Sequence, residues 1–311
     1  MPTLAQSVYK HLQIAVSLCL WLLYIFVLTV LVRHRKGSLK SSFFTLFTVL
    51  SVVDVVRAPS WLIFYDIPQL PYRWVPTVYM KLGRGFAGFA VLSYGVGANV
   101  ARAVQVALGL NRAYAMKLPY KFQKRWSEKT TRNVVVVAVL IGTLMSHVFV
   151  LTVAFVGTGY RITTLPDQST SLGIVGDWAA NSTLTLRQFF IFNQVNSGIT
   201  TVSLLLVYGT AIFYAYRMPT TVAPTNRSGE QTVSSAEMKV QKKLTLCMVA
   251  LTVPTFVYCC YNVYNYLWPT SFFADVYTYY LFLSTMLSLE CLANPVVIIL
   301  MSHTFRQCML N

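Results

Sequence analysis

Long apolar runs alternate along the chain with short polar stretches that are rich in lysine and arginine. A run of about 20 mostly apolar residues predicts a helix that crosses the hydrocarbon core of a bilayer. The pattern predicts seven such helices, at residues 12–32, 42–65, 82–110, 134–157, 189–216, 244–268 and 276–301. The expected fold class is therefore all-α, a seven-transmembrane helix bundle that forms a single domain over residues 1–311.

The composition indicates an integral membrane protein. The 311 residues are 56% hydrophobic and 11% charged, and their mean hydropathy is +0.57. A soluble domain carries about 25% charged residues, so an apolar excess of this size excludes a water-soluble fold. The net charge of +16 does not indicate nucleic-acid binding here, because the basic residues cluster in short loops between the apolar runs.

The distribution of lysine and arginine also predicts the orientation of the helices. Most of these residues follow the first, third and fifth predicted helices, and the positive-inside rule places such loops in the cytoplasm. The amino terminus is therefore expected outside and the carboxyl terminus inside. Two N-glycosylation sequons begin at Asn181 and Asn226. Only Asn181 falls in a predicted outer loop, so it is the expected glycosylation site.

Three ionisable residues, Asp54, Arg102 and Glu290, lie deep within three different predicted helices and at a similar depth. A charge in hydrocarbon is costly, so such groups are expected to face the bundle interior and to pair. The expected arrangement has Arg102 between the two carboxylates. The alternative is that Arg102 or Glu290 points to water, or that one acid is protonated. Arg57 and Arg84 lie near the outer ends of their helices and are expected to extend to the membrane interface.

The sequence NRAYAMKLPY, residues 111–120, resembles the motif that ends helix three in rhodopsin-like G-protein-coupled receptors. Arg112 and Pro119 stand at matching positions, whereas Asn111 replaces the acidic residue of that motif. Asp54 is similar to the helix-two aspartate of the same receptors. The missing acid implies that Arg112 lacks the ion pair that restrains it in many of them.

Two further features carry the resemblance. Pro254 is similar to the helix-six proline of rhodopsin-like receptors, and Asn294 with Pro295 is similar to their helix-seven Asn-Pro motif. Together with the stretch SSFFTLFTVLSVVD and a Lys-Arg-Trp-Ser loop, they make the chain most similar to the nematode serpentine chemoreceptors of the Srg/Srv group. The resemblance extends over nearly the whole chain.

The resemblance implies a multi-pass receptor of the plasma membrane, with the sensory cilium as a candidate location, that binds an external small molecule or peptide. It also implies activation of a cytoplasmic heterotrimeric G protein, contact with membrane lipid, and no enzymatic activity, cofactor or metal. The residues expected to take part in G-protein coupling are Asn111, Arg112, Pro119, Lys242 and Lys243. The residues expected to form a polar switch in the core are Asp54, Arg102, Pro254, Glu290, Asn294 and Pro295.

Aromatic and amide side chains in the outer halves of the helices are the candidates for a ligand pocket, since ligand sites in bundles lie between helices. They are Phe89, Tyr94, Asn193, Asn196, Tyr258, Asn262 and Tyr280. The alternative for each of them is ordinary helix packing.

A seven-helix ligand-gated channel or transporter is the alternative function. Transporters often show internal repeats and paired broken helices, and neither is visible in the chain. Retinal attachment in the last helix is excluded because no lysine follows Lys243. For Arg112, the alternative is an arginine that extends to the lipid headgroups ahead of ordinary positive-inside charges.

Overall fold

The computed structural model describes residues 4–37, 39–70, 72, 74–118, 121, 122, 125–151, 158–164, 170–176, 186–217, 235–267 and 276–310. The main helices of this part are α1 (Leu4–His34), α2 (Ser42–Trp61), α3 (Trp74–Lys117), α4 (Glu128–Met145), α5 (Leu186–Arg217), α6 (Ser235–Leu267), α7 (Val276–Met301) and α8 (His303–Leu310), and a short helical segment, His147–Leu151, follows α4. In chain order, α1 to α7 correspond to the seven predicted helices. The predicted helix bundle is therefore confirmed.

Four helical stretches of the described chain are long and apolar enough to cross a membrane, namely Leu4–His34, Ser42–Gln69, Gln194–Arg217 and Lys242–Tyr261. A fifth is added if Ser284–Leu300 and His303–Leu310, which meet at 82°, count as one span. In α3, polar residues such as Asn99 and Arg102 lower the hydropathy. α4 begins with charged residues that have the same effect.

The second helix ends differently from its prediction. α2 ends at Trp61 and continues as a π turn, Leu62–Asp66, and a 3-10 turn, Ile67–Gln69. Pro59, which has no N–H to donate within the helix, lies three residues before this π turn. A π turn adds a residue to the turn, so it changes the face on which the residues after it lie.

The third and fourth helices also depart from the predicted bounds. α3 begins at Trp74 rather than at 82, and Gly83 interrupts it with φ 74°; glycine adopts such positive φ values without steric penalty. α4 ends at Met145, where the Ser146 hydroxyl donates to the Gly142 carbonyl at 2.7 Å. A side-chain bond of this kind competes with the helical ladder.

A β-hairpin between α4 and α5 was not predicted. β1 (Thr158–Thr164) and β2 (Thr170–Gly176) pair antiparallel, with Thr158 opposite Gly176. The hairpin packs against α3 and the turn Ile67–Gln69, and we call this end of the bundle the hairpin end. Threonine, tyrosine and isoleucine favour strands, but this pattern is short beside the long apolar runs that predict the helices.

The opposite end of the bundle is strongly basic, and we call it the basic end. Its exposed cations include Arg33, Arg35, Lys117, Lys121, Arg125, Lys129, Arg217, Lys239 and Lys243. α8 lies at this end after the 82° bend. The Ser302 hydroxyl accepts from the Phe305 N–H at 3.2 Å and so caps α8. Phe305 is fully buried in the largest apolar core of the described residues, which also contains Phe47, Leu108 and Met248.

α3 is the central helix and packs against α2, α4, α5 and α6. It comes very close to α4 at Gly142, where an added Cβ would lie 2.5 Å from the Val100 Cα and 2.8 Å from the Val100 N. Only glycine allows the two backbones to come this close, as small residues do between membrane helices.

Replacing Gly142 by alanine is expected to lower the free energy of unfolding by about 1–3 kcal/mol, because the methyl group overpacks a rigid backbone contact. Thermal unfolding of the purified protein measures the effect. The matched control is Gly209→Ala in α5, where an added Cβ meets no atom within 4 Å. Alanine favours helix over glycine, so this control is neutral or stabilising. Equal losses in both variants would contradict the close contact of α3 with α4.

Candidate functional site

A buried aspartate on α2 begins a network of charges in the bundle core. Asp54 accepts hydrogen bonds from the Tyr24 hydroxyl at 2.9 Å and from Asn294 Nδ2 at 2.6 Å. Its other oxygen, Oδ1, lies 3.2 Å from Arg57 Nη2. Asp54 therefore joins α1, α2 and α7.

The network continues through three more charged side chains. Arg57 Nη1 lies 3.8 Å from Glu290 Oε1, and Arg102 Nε donates to the same oxygen at 3.2 Å. Asp54, Arg57, Glu290 and Arg102 thus form an alternating series of two acids and two bases, which we call the charge chain. All four side chains are 7% exposed or less. Pairing of this kind is what makes such burial tolerable.

The position of Arg57 corrects the sequence-based expectation. Arg57 was expected to extend to the membrane interface, but it is 1% exposed and lies between both carboxylates. The sequence-based expectation placed Arg102 between the two carboxylates. Among the described residues, Arg102 contacts one acid, Glu290. Gly97 of α3 makes room for Arg57, since a Cβ there would lie 3.3 Å from three carbons of its stem. Arg84 is exposed, as expected.

A signal for Arg57 was present in the sequence. Asp54 and Arg57 are three residues apart on one helix, a spacing that brings opposite charges together on the same face. The depth of Arg57 in the membrane alone favours the membrane interface, because Arg57 lies one helical turn nearer the end of α2 than Asp54. An unpaired guanidinium in hydrocarbon is costly. Pairing with Asp54 on the same helix therefore keeps Arg57 in the core, although it lies one turn nearer the interface.

An aromatic cluster lies next to the charge chain, towards the hairpin end. The Arg102 guanidinium carbon is 5.1 Å from the centroid of the Tyr258 ring, within the range of a cation–π contact. Trp61 stacks on Tyr65 at 4.3 Å and contacts Tyr94 at 4.8 Å. We call Trp61, Tyr65, Tyr94 and Tyr258 the aromatic cluster. The Tyr94 hydroxyl is buried without a hydrogen-bond partner in the described chain.

The structure brings only some of the predicted pocket residues together. Tyr94 and Tyr258 belong to the aromatic cluster. Asn196 donates to the Met145 carbonyl at 2.8 Å and so joins α5 to the end of α4. Phe89 was expected in the pocket, but it is 61% exposed and does not face the bundle interior. The side chains of Asn193, Asn262 and Tyr280 lie outside the described residues.

At the basic end, Arg112 is buried against α2 and α3. Its Nε donates to Asn111 Oδ1 at 3.1 Å, and Nη2 donates to the same oxygen. The guanidinium also lies over the Phe43 ring at 4.9 Å and the Phe122 ring at 5.7 Å. Asn111 Nδ2 donates in turn to the Ser42 hydroxyl at 2.8 Å. Asn111 therefore binds Arg112 and connects α3 to α2.

The remaining predicted site residues are distributed over α6, α7 and a loop. Lys242 is half-buried and Lys243 exposed at the basic end. Pro254 lies inside α6 and Pro295 inside α7, where each proline removes a backbone hydrogen bond. Pro119, like the glycosylation candidate Asn181, lies outside the described residues.

A bundle of apolar helices with paired charges at its centre is typical of an integral membrane protein. The chain belongs to the Srv family of serpentine type 7TM GPCR chemoreceptors, whose family model matches residues 13–311. The membership confirms the predicted Srg/Srv resemblance and the membrane-receptor class. No curated protein matches the chain.

Proposed function

We propose that this chemoreceptor binds an external small molecule or peptide and activates a cytoplasmic heterotrimeric G protein. The observation that carries the proposal is the state of Arg112 at the basic end. It is 2% exposed and binds Asn111 between two aromatic rings, although cations at this end are mostly exposed. An interfacial anchor would extend its charge to the headgroups, whereas a buried arginine fits a group that changes partner when the receptor is activated.

The proposed activation is a shift between two packings of the bundle. α6 carries Pro254, and the freed Ala250 carbonyl makes this a point where the helix can bend. Movement of α6 at the basic end would open a cleft beside Arg112. The exposed cations around it, Lys243 among them, would then bind acidic groups of the G protein and anionic lipid headgroups.

The proposed ligand site for activation is the aromatic cluster, which contacts the charge chain directly. Arg102 lies over Tyr258 on one side and binds Glu290 on the other. Glu290 and Asn294 belong to α7, and Asn294 binds Asp54. A ligand that displaces Tyr258 would therefore alter contacts on α2, α3 and α7 at once. Such differential contacts are what a ligand needs to shift a two-state equilibrium.

The proposed location is the plasma membrane, with the amino terminus outside. Endoglycosidase is then expected to increase the electrophoretic mobility of the wild type and of Asn226→Gln, but not of Asn181→Gln, because only residue 181 reaches the glycosylation machinery. Both sequons lie outside the described residues. A glycan on Asn226 would reverse the topology and contradict the proposal that the basic end faces the cytoplasm.

The direct test of the function is nucleotide exchange. The purified receptor in nanodiscs with anionic lipid is mixed with each class of Gα subunit, and GTP-analogue loading is followed while candidate ligands are screened. A ligand that binds is expected to accelerate loading of at least one class over empty nanodiscs. Ligand binding without exchange in any class would contradict G-protein coupling, and ligand-gated ion flux in liposomes would favour a channel.

A further inference from the structure

An apolar groove of about 480 Å³ lies between α3, α4 and α5, and we call it the α4 groove. Small side chains form its base, because α3 contributes Ala103 and Ala107 and α4 contributes Ala138. The side chains along its rims are apolar and about half exposed, namely Val137, Ile141 and Ile199. Because exposed apolar surface on the helices of a membrane bundle faces hydrocarbon, the groove is open to acyl chains.

The groove leads from the charge chain towards the basic end. On α3, Arg102 lines its inner end and Leu110 its outer end. Ala103, Leu110 and Lys117 follow one another at intervals of seven residues, which is about two helical turns, so they lie on one face of α3. Lys117 therefore lies beyond the outer end of the groove and in line with it.

A second cation stands in the same relation to the groove on α5. Ser203 lines the groove, and Arg217 follows it by 14 residues, the separation that Lys117 has from Ala103. Fourteen residues of helix cover about 21 Å. Half of a bilayer, with its headgroups, is about 20–22 Å thick. The groove and the two cations together thus span one leaflet.

The two cations lie where a lipid headgroup is expected. Lys117 Nζ is 5.6 Å from the centroid of the Tyr214 ring of α5, so its charge lies where α3 and α5 meet. Lys117 and Arg217 are both exposed. Thr130 and Asn133 of α4 line the groove at this end and can donate hydrogen bonds to phosphate or ester oxygens.

The combination of an apolar groove and a cationic mouth selects the occupant. A cationic amphiphile would be repelled by Lys117 and Arg217. A sterol fits an apolar groove, but it carries no charge for the two cations to bind. An anionic phospholipid has an acyl chain for the groove and a phosphate for the cations, and anionic lipids are attracted to lysine and arginine at the membrane surface.

We propose that the α4 groove binds one anionic phospholipid of the leaflet at the basic end, with an acyl chain between α3, α4 and α5 and its phosphate at Lys117 and Arg217. The chain then ends beside Arg102, the charge-chain residue that joins α3 to α7. This site extends the lipid contact proposed for the basic end. It requires no G protein.

The test is native mass spectrometry of the whole receptor in a neutral detergent, titrated with phosphatidylglycerol or phosphatidylcholine that have the same acyl chains. One lysine or arginine near an anionic headgroup favours binding by about fivefold. The wild type is therefore expected to retain one phosphatidylglycerol at least about fivefold more tightly than phosphatidylcholine. Equal retention would overturn the proposal, as would displacement of the bound phosphatidylglycerol by an equal concentration of cholesterol.

Lys117→Gln tests the cationic mouth at an exposed position, where the fold is not at risk. The preference for phosphatidylglycerol is expected to fall about fivefold. The control is Arg132→Gln, which removes an exposed cation of α4 that does not line the groove, and it is expected to leave the preference unchanged. Equal losses in both variants would mean that the lipid binds the basic end in general, which would overturn the proposed site.

Ala103→Leu tests the groove itself by filling its base, and it is expected to remove the tightly retained phosphatidylglycerol. The control is Gly209→Leu, which places the same side chain at an exposed position of α5 where an added Cβ meets no atom within 4 Å. This control is expected to retain the lipid. Phosphatidylglycerol that stays bound to Ala103→Leu would overturn the proposal. Because no G protein is present, lipid retention without nucleotide exchange in the separate exchange assay would contradict the proposed function alone.

Discussion

Replacing Arg57 by methionine is expected to lower the free energy of unfolding by about 3–5 kcal/mol, the cost of removing one partner from a buried ion pair. Arg57 is the cation that lies between both acids, 3.2 Å from Asp54 and 3.8 Å from Glu290. Its loss leaves two carboxylates and one arginine in the core. Thermal unfolding of the purified receptor and its surface expression in cells measure the effect.

The control is Arg84→Met, which removes the same charge from an exposed position and is expected to change stability by less than about 0.5 kcal/mol. The double variant Arg57→Met with Asp54→Asn restores neutrality, since Arg102 and Glu290 remain paired. It is expected to recover a large part of the lost stability, and the double-mutant cycle measures the coupling. Equal stability of the Arg57 and Arg84 variants would contradict the charge chain.

Replacing Arg112 by alanine is expected to lower nucleotide exchange strongly at matched surface expression while ligand affinity changes little. Coupling free energies between sites are typically about 1–3 kcal/mol, or 5–150-fold, and exchange should fall by a factor in that range. The reason is distance, since Arg112 lies at the basic end and the aromatic cluster towards the hairpin end. Arg132→Ala, at an exposed position of α4, removes the same charge from the basic end and is the control.

Asn111→Asp tests the contact between residue 111 and Arg112 by strengthening it instead of removing it. It turns the hydrogen bond to Arg112 into an ion pair, which is stronger, while the Ser42 hydroxyl can still donate to the carboxylate. Ligand-independent exchange is therefore expected to decrease. Normal signalling by Arg112→Ala would mean that this arginine is only an interfacial anchor, and its likeness to the receptor motif would carry no functional meaning.

The sequence predicted what depends on local pattern. Apolar length located all seven helices, and the cost of charge in hydrocarbon placed Asp54, Arg102 and Glu290 in the core. Within the described part of the chain Arg112 makes no ion pair, as expected, and instead donates to the oxygen of the adjacent Asn111. The functional roles of these residues remain predictions.

The sequence could not predict contacts that depend on how helices pack. Lys10 precedes the first predicted helix, which begins at residue 12, but it is buried in α1 and paired with Asp66. That pair requires the π turn after Pro59, whose effect on the direction of Asp66 no periodic pattern records. The central position of Arg57 depends on Gly97 of a different helix. Such partners become visible only when the helices are placed side by side.

The charge chain has an electrical consequence. A single elementary charge that moves across a membrane carrying 100 mV exchanges about 2.3 kcal/mol with the field. α2 contributes one charge of each sign, Asp54 and Arg57. Because the two charges cancel, moving α2 along the membrane normal exchanges almost no energy with the field. Arg102 on α3 and Glu290 on α7 carry opposite single charges, and their 3.2 Å contact makes a joint displacement neutral as well. Rearrangements that keep these ion pairs intact therefore move almost no net charge of the charge chain through the field, whereas a separation of α3 from α7 would move the charges of Arg102 and Glu290 apart and make that step sensitive to the membrane voltage.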